Sequence, residues 1–351
     1  MRFEGAYTAL VTPMLPDGAV DLDGLRKNID FQVSQGISGV VPCGTTGESP
    51  TQNWQEHDEI IEQTVKHVAG RCKVIAGTGS NSTEECLAST THAAQIGADA
   101  VLMADSYYNG PSSQELKDQY YSAIAELVPN VPIIPYIIPG RTGTALSVED
   151  LAILAGRYPN ISSVKEATGD LERMKYTREL CGPDFNILSG DDDLTFKMLT
   201  DPAIKAQGVI SVTSNLAPNA VKEMVMAVRS GDIEKAEKLN KALSPLFGVV
   251  NVKVDNERTL PDGRKVKVND RYRNPVAIKT IMAGLGMPSG PCRPPLGLMS
   301  ALGVEKVRQA VKTVWENNPE VLAPITEFYG IDIPARLADD TVWQQLTRVW
   351  I

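Results

Sequence analysis

Short apolar runs recur along the chain, each followed by a turn and then by a stretch with apolar residues every three or four positions. The runs are 6–11 (AYTALV), 39–43 (GVVPC), 73–77 (KVIAG), 100–104 (AVLMA), 132–137 (PIIPYI), 161–165 (ISSVK), 185–189 (FNILS) and 208–213 (GVISVT). Helical spacing fills 22–35, 53–69, 82–96, 113–127, 170–181 and 216–229. Strands that alternate with amphipathic helices predict parallel pairing through crossover helices. Eight such units over 1–230 predict an α/β fold, a (β/α)8 barrel. The competing open, doubly wound sheet has fewer strands and a glycine fingerprint after the first. Here "GTGSNS" at 77–82 is not GxGxxG, and no Walker A lysine motif is present.

Past 230 the strand pattern gives way to helical spacing. Segments 231–247, 274–286 and 303–318 predict three helices of a C-terminal helical domain spanning 231–351. Between them, 251–273 has two alternating, charged arms around Pro261-Asp262-Gly263. That pattern predicts an exposed hairpin insertion whose charges are solvated or, less often, meet another subunit. The last thirty residues carry Phe328, Trp343 and Trp350, too apolar for a disordered tail, so they are expected to pack on this subunit or a neighbour.

Composition narrows the function more than the fold. The 351 residues are 42% apolar and 22% charged, as in an ordinary globular protein, with a net charge of −9. That charge argues against nucleic acid or an anionic membrane as the partner. An anionic substrate would need local cations and N–H groups working against the global field. The five cysteines, Cys43, Cys72, Cys86, Cys181 and Cys292, form no CxxC pair and no metal-ligand spacing, which predicts reduced thiols. The N-terminus lacks a basic segment followed by a long apolar one, and no run is long enough to span a membrane. A soluble, cytoplasmic protein is expected.

In such a barrel, chemistry collects at the carboxyl ends of the strands. Residues there include Thr45 and Thr46 in "GTTGES", Tyr107 and Tyr108 in "SYYNGP", Tyr136 and Arg141 in "YIIPGRTG", Lys165 in "KEATG", and Gly190 with Asp191 in "SGDD". The three histidines, His57, His67 and His92, fall in helical stretches. Neither a metal-ligand set nor a glycosidase-like carboxylate pair is present, so no metal is expected. Lys165 could be an ion-pair partner of Glu166 or Asp191. As a nucleophile it would need a neutral amine, which desolvation in a barrel mouth can supply. Thr45, Tyr108 and Tyr136 could pass protons, each hydroxyl being donor and acceptor. The Gly44–Gly47 loop, opening a helix, could present N–H groups to an anion or be a plain tight turn. Arg141 could grip a carboxylate or be solvated in its turn.

The ordered motifs "GTTGE", "SYYNGP", "YIIPGRTG", "VKEATGD", "SGDD" and "GVISVTSN" resemble the class I pyruvate-dependent aldolases of the dihydrodipicolinate synthase/N-acetylneuraminate lyase superfamily, and within it the dihydrodipicolinate synthases. The resemblance covers about 3–250 and resumes around 274–317. It implies that Lys165 forms an imine with pyruvate, with no cofactor, and that Thr45, Tyr108 and Tyr136 relay protons. Tyr108 would reach into a neighbouring subunit's site. Thr46 would hold the pyruvate carboxylate and Arg141 the carboxylate of aspartate semialdehyde. Gly190 and Ile210 would line the site. The implied product is 4-hydroxy-tetrahydrodipicolinate, on the route to diaminopimelate and lysine, and the implied assembly is a homotetramer. Trp54, His57, Asn81, Glu85 and Tyr107 fall where regulated members bind lysine.

The pattern departs from that family in places. Ile137 stands where the synthases have Asn, and "IKAQGVIS" lacks their glycine pair. The 251–273 insertion and the long tail are further departures. They leave open another pyruvate aldolase or dehydratase, acting on 2-keto-3-deoxy sugar acids or N-acetylneuraminate, and more remotely a non-catalytic barrel that binds 2-oxo acids.

Overall fold

The computed structural model describes residues 2–348, so the expectation for Trp350 lies outside the described residues. Eight parallel strands close into a barrel: β1 (Gly5–Ala9), β2 (Gly39–Val41), β3 (Lys73–Gly77), β4 (Ala100–Ala104), β5 (Ile133–Ile137), β6 (Ser163–Glu166), β7 (Asn186–Ser189) and β8 (Gly208–Ser211). Each overlaps an apolar run read from the sequence and extends past it by at most one residue. The runs are almost unbroken because both strand faces are buried. Alternation then sorts them into two layers. Tyr7, Leu102, Ile134, Tyr136, Leu188 and Ile210 pack inside the barrel. Their neighbours Ala6, Met103, Ile133, Ile137, Ile187 and Val209 face the helices.

The predicted helices form with small shifts at their ends, and Val148–Arg157 and Thr195–Thr200 add to the ring. The 113–127 stretch is not one α-helix: Leu116–Tyr121 winds as a π-helix between two short α-helical pieces. Both Tyr120 and Tyr121 are buried there, with Tyr121 bonded to Asp105 at 2.7 Å.

Helices Ile233–Phe247, Val276–Leu285 and Ala301–Asn317 follow the barrel. The hairpin forms as expected, with β9 (Val252–Thr259) antiparallel to β10 (Lys265–Tyr272) and Val252 opposite Tyr272. Gly263 takes a φ of 86° in the turn, a conformation that favours glycine. The tail packs on its own subunit. Phe328 and Tyr329 pack against Phe31 with tilted rings, and the Tyr329 hydroxyl donates to Asn28 at 2.9 Å. Trp343 is buried over Gly284, where a Cβ would lie 2.4 Å from the indole.

One buried ion pair ties the C-terminal helices to the barrel mouth. Lys279 reaches Glu48 at 2.5 Å and also donates to the carbonyls of Thr12 and Pro291. The second Glu48 oxygen accepts from the Arg293 backbone N–H. With its polar atoms satisfied, such a pair is costly to break from one side, by about 3–5 kcal/mol. It anchors the last residue of the 44–48 loop.

Candidate active site

The register of β5 and β6 sets Tyr136 opposite Lys165. Both side chains point into the barrel, and the Lys165 amine lies 4.0 Å from the centre of the Tyr136 ring. Lys165 is 5% exposed and has no carboxylate within ion-pair distance among the described residues. Glu166, one of its expected partners, instead holds Arg173 at 3.2 Å. Burial draws the Lys165 pKa down to about 8, against the pull of Asp191 and Asp192. Roughly one amine in ten is then neutral at pH 7, compared with fewer than about one in a thousand for an ordinary lysine. Burial also raises Asp191 to about 6.

Tyr136 is moved the other way, up to about 12 by burial, with Arg141 and Thr45 pulling it back. It therefore stays a phenol at neutral pH and can donate a proton beside the amine. Gly190 flanks the lysine: a Cβ there would lie 2.7 Å from the Ala167 side chain and 3.1 Å from Lys165 Cε. Any larger residue would push into the space the amine needs.

The 44–48 loop does not open a helix directly, which corrects the sequence expectation. A 3-10 turn, Ser49–Thr51, and the cap Asn53 intervene before Trp54–Val68. The amides of Gly47, Glu48 and Ser49 close turns onto the carbonyls of Gly44 and Thr45. Among the described residues this leaves the N–H groups of Thr45 and Thr46 unclaimed, so an anion would rest on these two rather than on a helix terminus. Thr46 is buried and its hydroxyl accepts from Asn274 at 2.9 Å.

Lys165, Tyr136, Thr45, Thr46, Arg141 and Gly190 all line one cavity of ≈ 170 Å³. Ile210 lies deeper, in the interior layer, and Val212 two positions on reaches the cavity. Tyr108 is not in this group. Its ring is 89% exposed, on a backbone at φ 77° that a non-glycine residue rarely adopts. The sequence reading missed Asn274 and, on the inserted hairpin, Arg271 and Arg273, which line the same cavity. Besides meeting solvent or another subunit, as the sequence reading has it, the hairpin charges thus reach the cavity at Arg271 and Arg273.

A second cavity, ≈ 190 Å³, is lined by Trp54, His57, Glu85 and Tyr107. Tyr107 lies against the Asn81 backbone, and burial followed by the nearby Glu85 raises its pKa. His57 is buried against the Trp54 ring; its Nδ1 lies 3.6 Å from Asp58, and neither ring nitrogen makes a hydrogen bond among the described residues.

The profile of the dihydrodipicolinate synthetase family matches residues 2–314. The chain belongs to that family. A 4-hydroxy-tetrahydrodipicolinate synthase of Methanococcus maripaludis is 40% identical over 311 residues, 89% of this chain and 98% of that one. The solved structure of the 4-hydroxy-tetrahydrodipicolinate synthase of Methylacidiphilum fumariolicum SolV superposes with a TM-score of 0.82 at 35% identity, covering 92% of this chain and 99% of that one. The lysine-bound dihydrodipicolinate synthase of Cyanidioschyzon merolae gives 0.79 at 34% identity, over 89% and 98%.

Two of the chain's departures from the family pattern lie away from the cavity. Ile137 is fully buried on the outer face of β5, against the helices, because alternation turns it away from Tyr136. The IKAQ stretch that lacks the glycine pair, 204–207, precedes β8 at the opposite end of the barrel, where Gln207 accepts from the Ile187 N–H and Arg178. The insertion is the departure that reaches the site.

Proposed function

We propose that this chain condenses pyruvate with aspartate semialdehyde to 4-hydroxy-tetrahydrodipicolinate through an imine on Lys165. The observation that carries the reading is the buried Lys165 amine, drawn to about 8 by desolvation, beside the phenol of Tyr136. The neutral amine attacks C2 of pyruvate and water leaves. The imine gives up a methyl proton to become an enamine, whose carbon bonds to the aldehyde carbon. The amino group of the former semialdehyde then attacks the imine carbon, closing the ring and releasing Lys165. One water leaves overall, and the steps need no metal or organic cofactor.

Tyr136 and Thr45 move protons in these steps, and the pull of Thr45 on the Tyr136 phenol supports that role. Thr45 and Thr46 hold the pyruvate carboxylate, and Arg141 at the rim holds that of the semialdehyde. Gly190 keeps room for the amine, and Ile210 supports the floor from below. The outward, strained Tyr108 supports a role in the site of a neighbouring copy, within a cytoplasmic homotetramer. In this reading 1–230 is the catalytic barrel and 231–351 the helical domain. The cavity of Trp54, His57, Glu85 and Tyr107, with Asn81 at its edge, is read as a site for regulatory lysine. The lysine-bound relative supports that assignment.

Incubation with pyruvate and borohydride, followed by intact mass and peptide mapping, tests the chemistry. The expected product is reduced pyruvate on Lys165, with turnover when aspartate semialdehyde is supplied. A folded protein that gives no adduct overturns the mechanism. An adduct with turnover only on a 2-keto-3-deoxy sugar acid would reassign the second substrate.

A further inference from the structure

The inserted hairpin is not only a surface ornament. Its second strand ends in Arg271-Tyr272 and runs straight on into Arg273-Asn274, and these side chains go to different sides. The Tyr272 hydroxyl turns to the C-terminal helices, accepting from the Ser300 N–H at 3.0 Å. Arg271 and Arg273 go the other way and line the cavity that holds Lys165. Arg273 donates to the carbonyl of Gly140 at 2.6 Å, in the turn that carries Arg141. Arg141 in turn donates to the carbonyl of Asn274 at 2.8 Å. Hairpin base and barrel rim are stitched together by these two bonds.

The charges around them make the case. Two other arginines of the hairpin have acidic partners, Arg258 with Asp270 at 2.8 Å and Arg264 with Asp262 at 2.7 Å. Among the described residues, Arg141, Arg271 and Arg273 have no carboxylate within 4.0 Å. The acid on the cavity wall, Asp191, lies in the field of Lys165. Three unneutralised guanidiniums thus share one concave mouth, and the fields of Arg273 and Arg271 bear on Arg141. In a chain of net charge −9, this is a local and deliberate concentration of cations. Guanidiniums bind carboxylates through paired, charge-assisted N–H bonds.

We propose that Arg271 and Arg273 complete, with Arg141, a three-arginine clamp for the carboxylate of the second substrate, so that the insertion is a specificity element of the active site. The proposal deepens the reading given under Proposed function and rests on it for the identity of that substrate. Pyruvate is held below, by Thr45 and Thr46, and does not depend on the clamp.

The test compares the full chain with Arg271→Ala, Arg273→Ala, the double variant and the double Arg→Lys variant. The double alanine variant is expected to raise KM for aspartate semialdehyde by about 10- to 100-fold. KM for pyruvate and the yield of borohydride-trapped Lys165 adduct should stay within about twofold. The lysine variant should recover part of the loss, since it restores charge without the paired geometry. Calorimetric titration with succinate, which has no carbonyl and cannot form an imine, gives a readout independent of turnover. The wild type should bind it, and the double alanine variant about tenfold or more weakly. Absence of the pyruvate adduct in the wild type would sink the catalytic reading while succinate binding still judges the clamp. Unchanged succinate affinity in the double variant overturns the clamp. So does a KM for pyruvate that rises in step with that for the aldehyde, which would mark the hairpin as structural support.

Discussion

The floor and the rim of the cavity are built in different ways. Lys165 and Tyr136 sit on adjacent barrel strands, fixed by the register of β5 and β6, and are 5% and 6% exposed. Arg141, Arg271 and Arg273 are carried by a short helical turn and a hairpin inserted after the barrel closes. The floor shifts proton affinities by excluding water; the rim gathers cations that have no acidic partner among the described residues. Groups that must hold a protonation state are placed where the scaffold is stiffest and driest. Groups that choose a substrate are placed where a segment can be added without disturbing the strands.

The sharpest separation of the two regions comes from Tyr136→Phe. Its ring lies against the Lys165 amine and its phenol is the proposed proton donor, so kcat should fall by about 10²- to 10⁴-fold. KM for the aldehyde should change little, and the Lys165 adduct should still be trapped on long incubation. Steady-state kinetics with both substrates decides this. A kcat loss below about tenfold would mean that the floor does not supply the proton.

A smaller effect follows from the pKa of Lys165. Its value of about 8 lies below the ordinary lysine range, so the amine is charged below pH 8 and neutral above it. The initial rate of pyruvate trapping by cyanoborohydride should rise about 50-fold between pH 6 and 8 and flatten beyond. In the double Arg271→Ala, Arg273→Ala variant the midpoint should stay near that of the wild type, because the cations that bear on Lys165 do not include these two. A midpoint that moves with the hairpin would join the regions the comparison separates.

The sequence made the floor readable and left the rim hidden, for a physical reason. A strand buried on both faces must be apolar throughout, so a lysine ending such a run in ISSVK is conspicuous. Tyr136 stands out in the same way at the end of PIIPY. Parity would also have told that Ile137 faces away from Tyr136, which makes its departure from the family harmless to the cavity. A hairpin of alternating charges follows the same rule whether its faces meet solvent or a pocket. Which face meets the site depends on contacts across the fold, Tyr272 to Ser300 and Arg273 to Gly140, and no local pattern encodes these. The Glu48–Lys279 pair was hidden likewise, by a sequence separation of 231. The Gly44–Gly47 loop misled in the other direction, since a glycine-rich turn before a helical pattern reads as a helix start. Glu48 in a left-handed conformation and the Ser49–Thr51 turn separate the two.

Asn274 is where floor and rim meet, and it gives the finest test. Its carbonyl accepts from Arg141 at the rim, while its side chain donates to Thr46 on the pyruvate side. Asn274→Ala removes the second bond and keeps the first. Loss of one neutral hydrogen bond of about 1 kcal/mol should raise KM for pyruvate by roughly fivefold. KM for aspartate semialdehyde should stay within about twofold, since the backbone carbonyl still orients Arg141. The buried Asn274 Oδ1 has no partner among the described residues, so removing the amide strands no further donor or acceptor on that side. If instead the aldehyde KM rises and the pyruvate KM does not, the side chain serves the hairpin rather than the loop. Thr46 would then owe its position to the Glu48–Lys279 anchor alone, and the line between the two regions would run on the other side of Asn274.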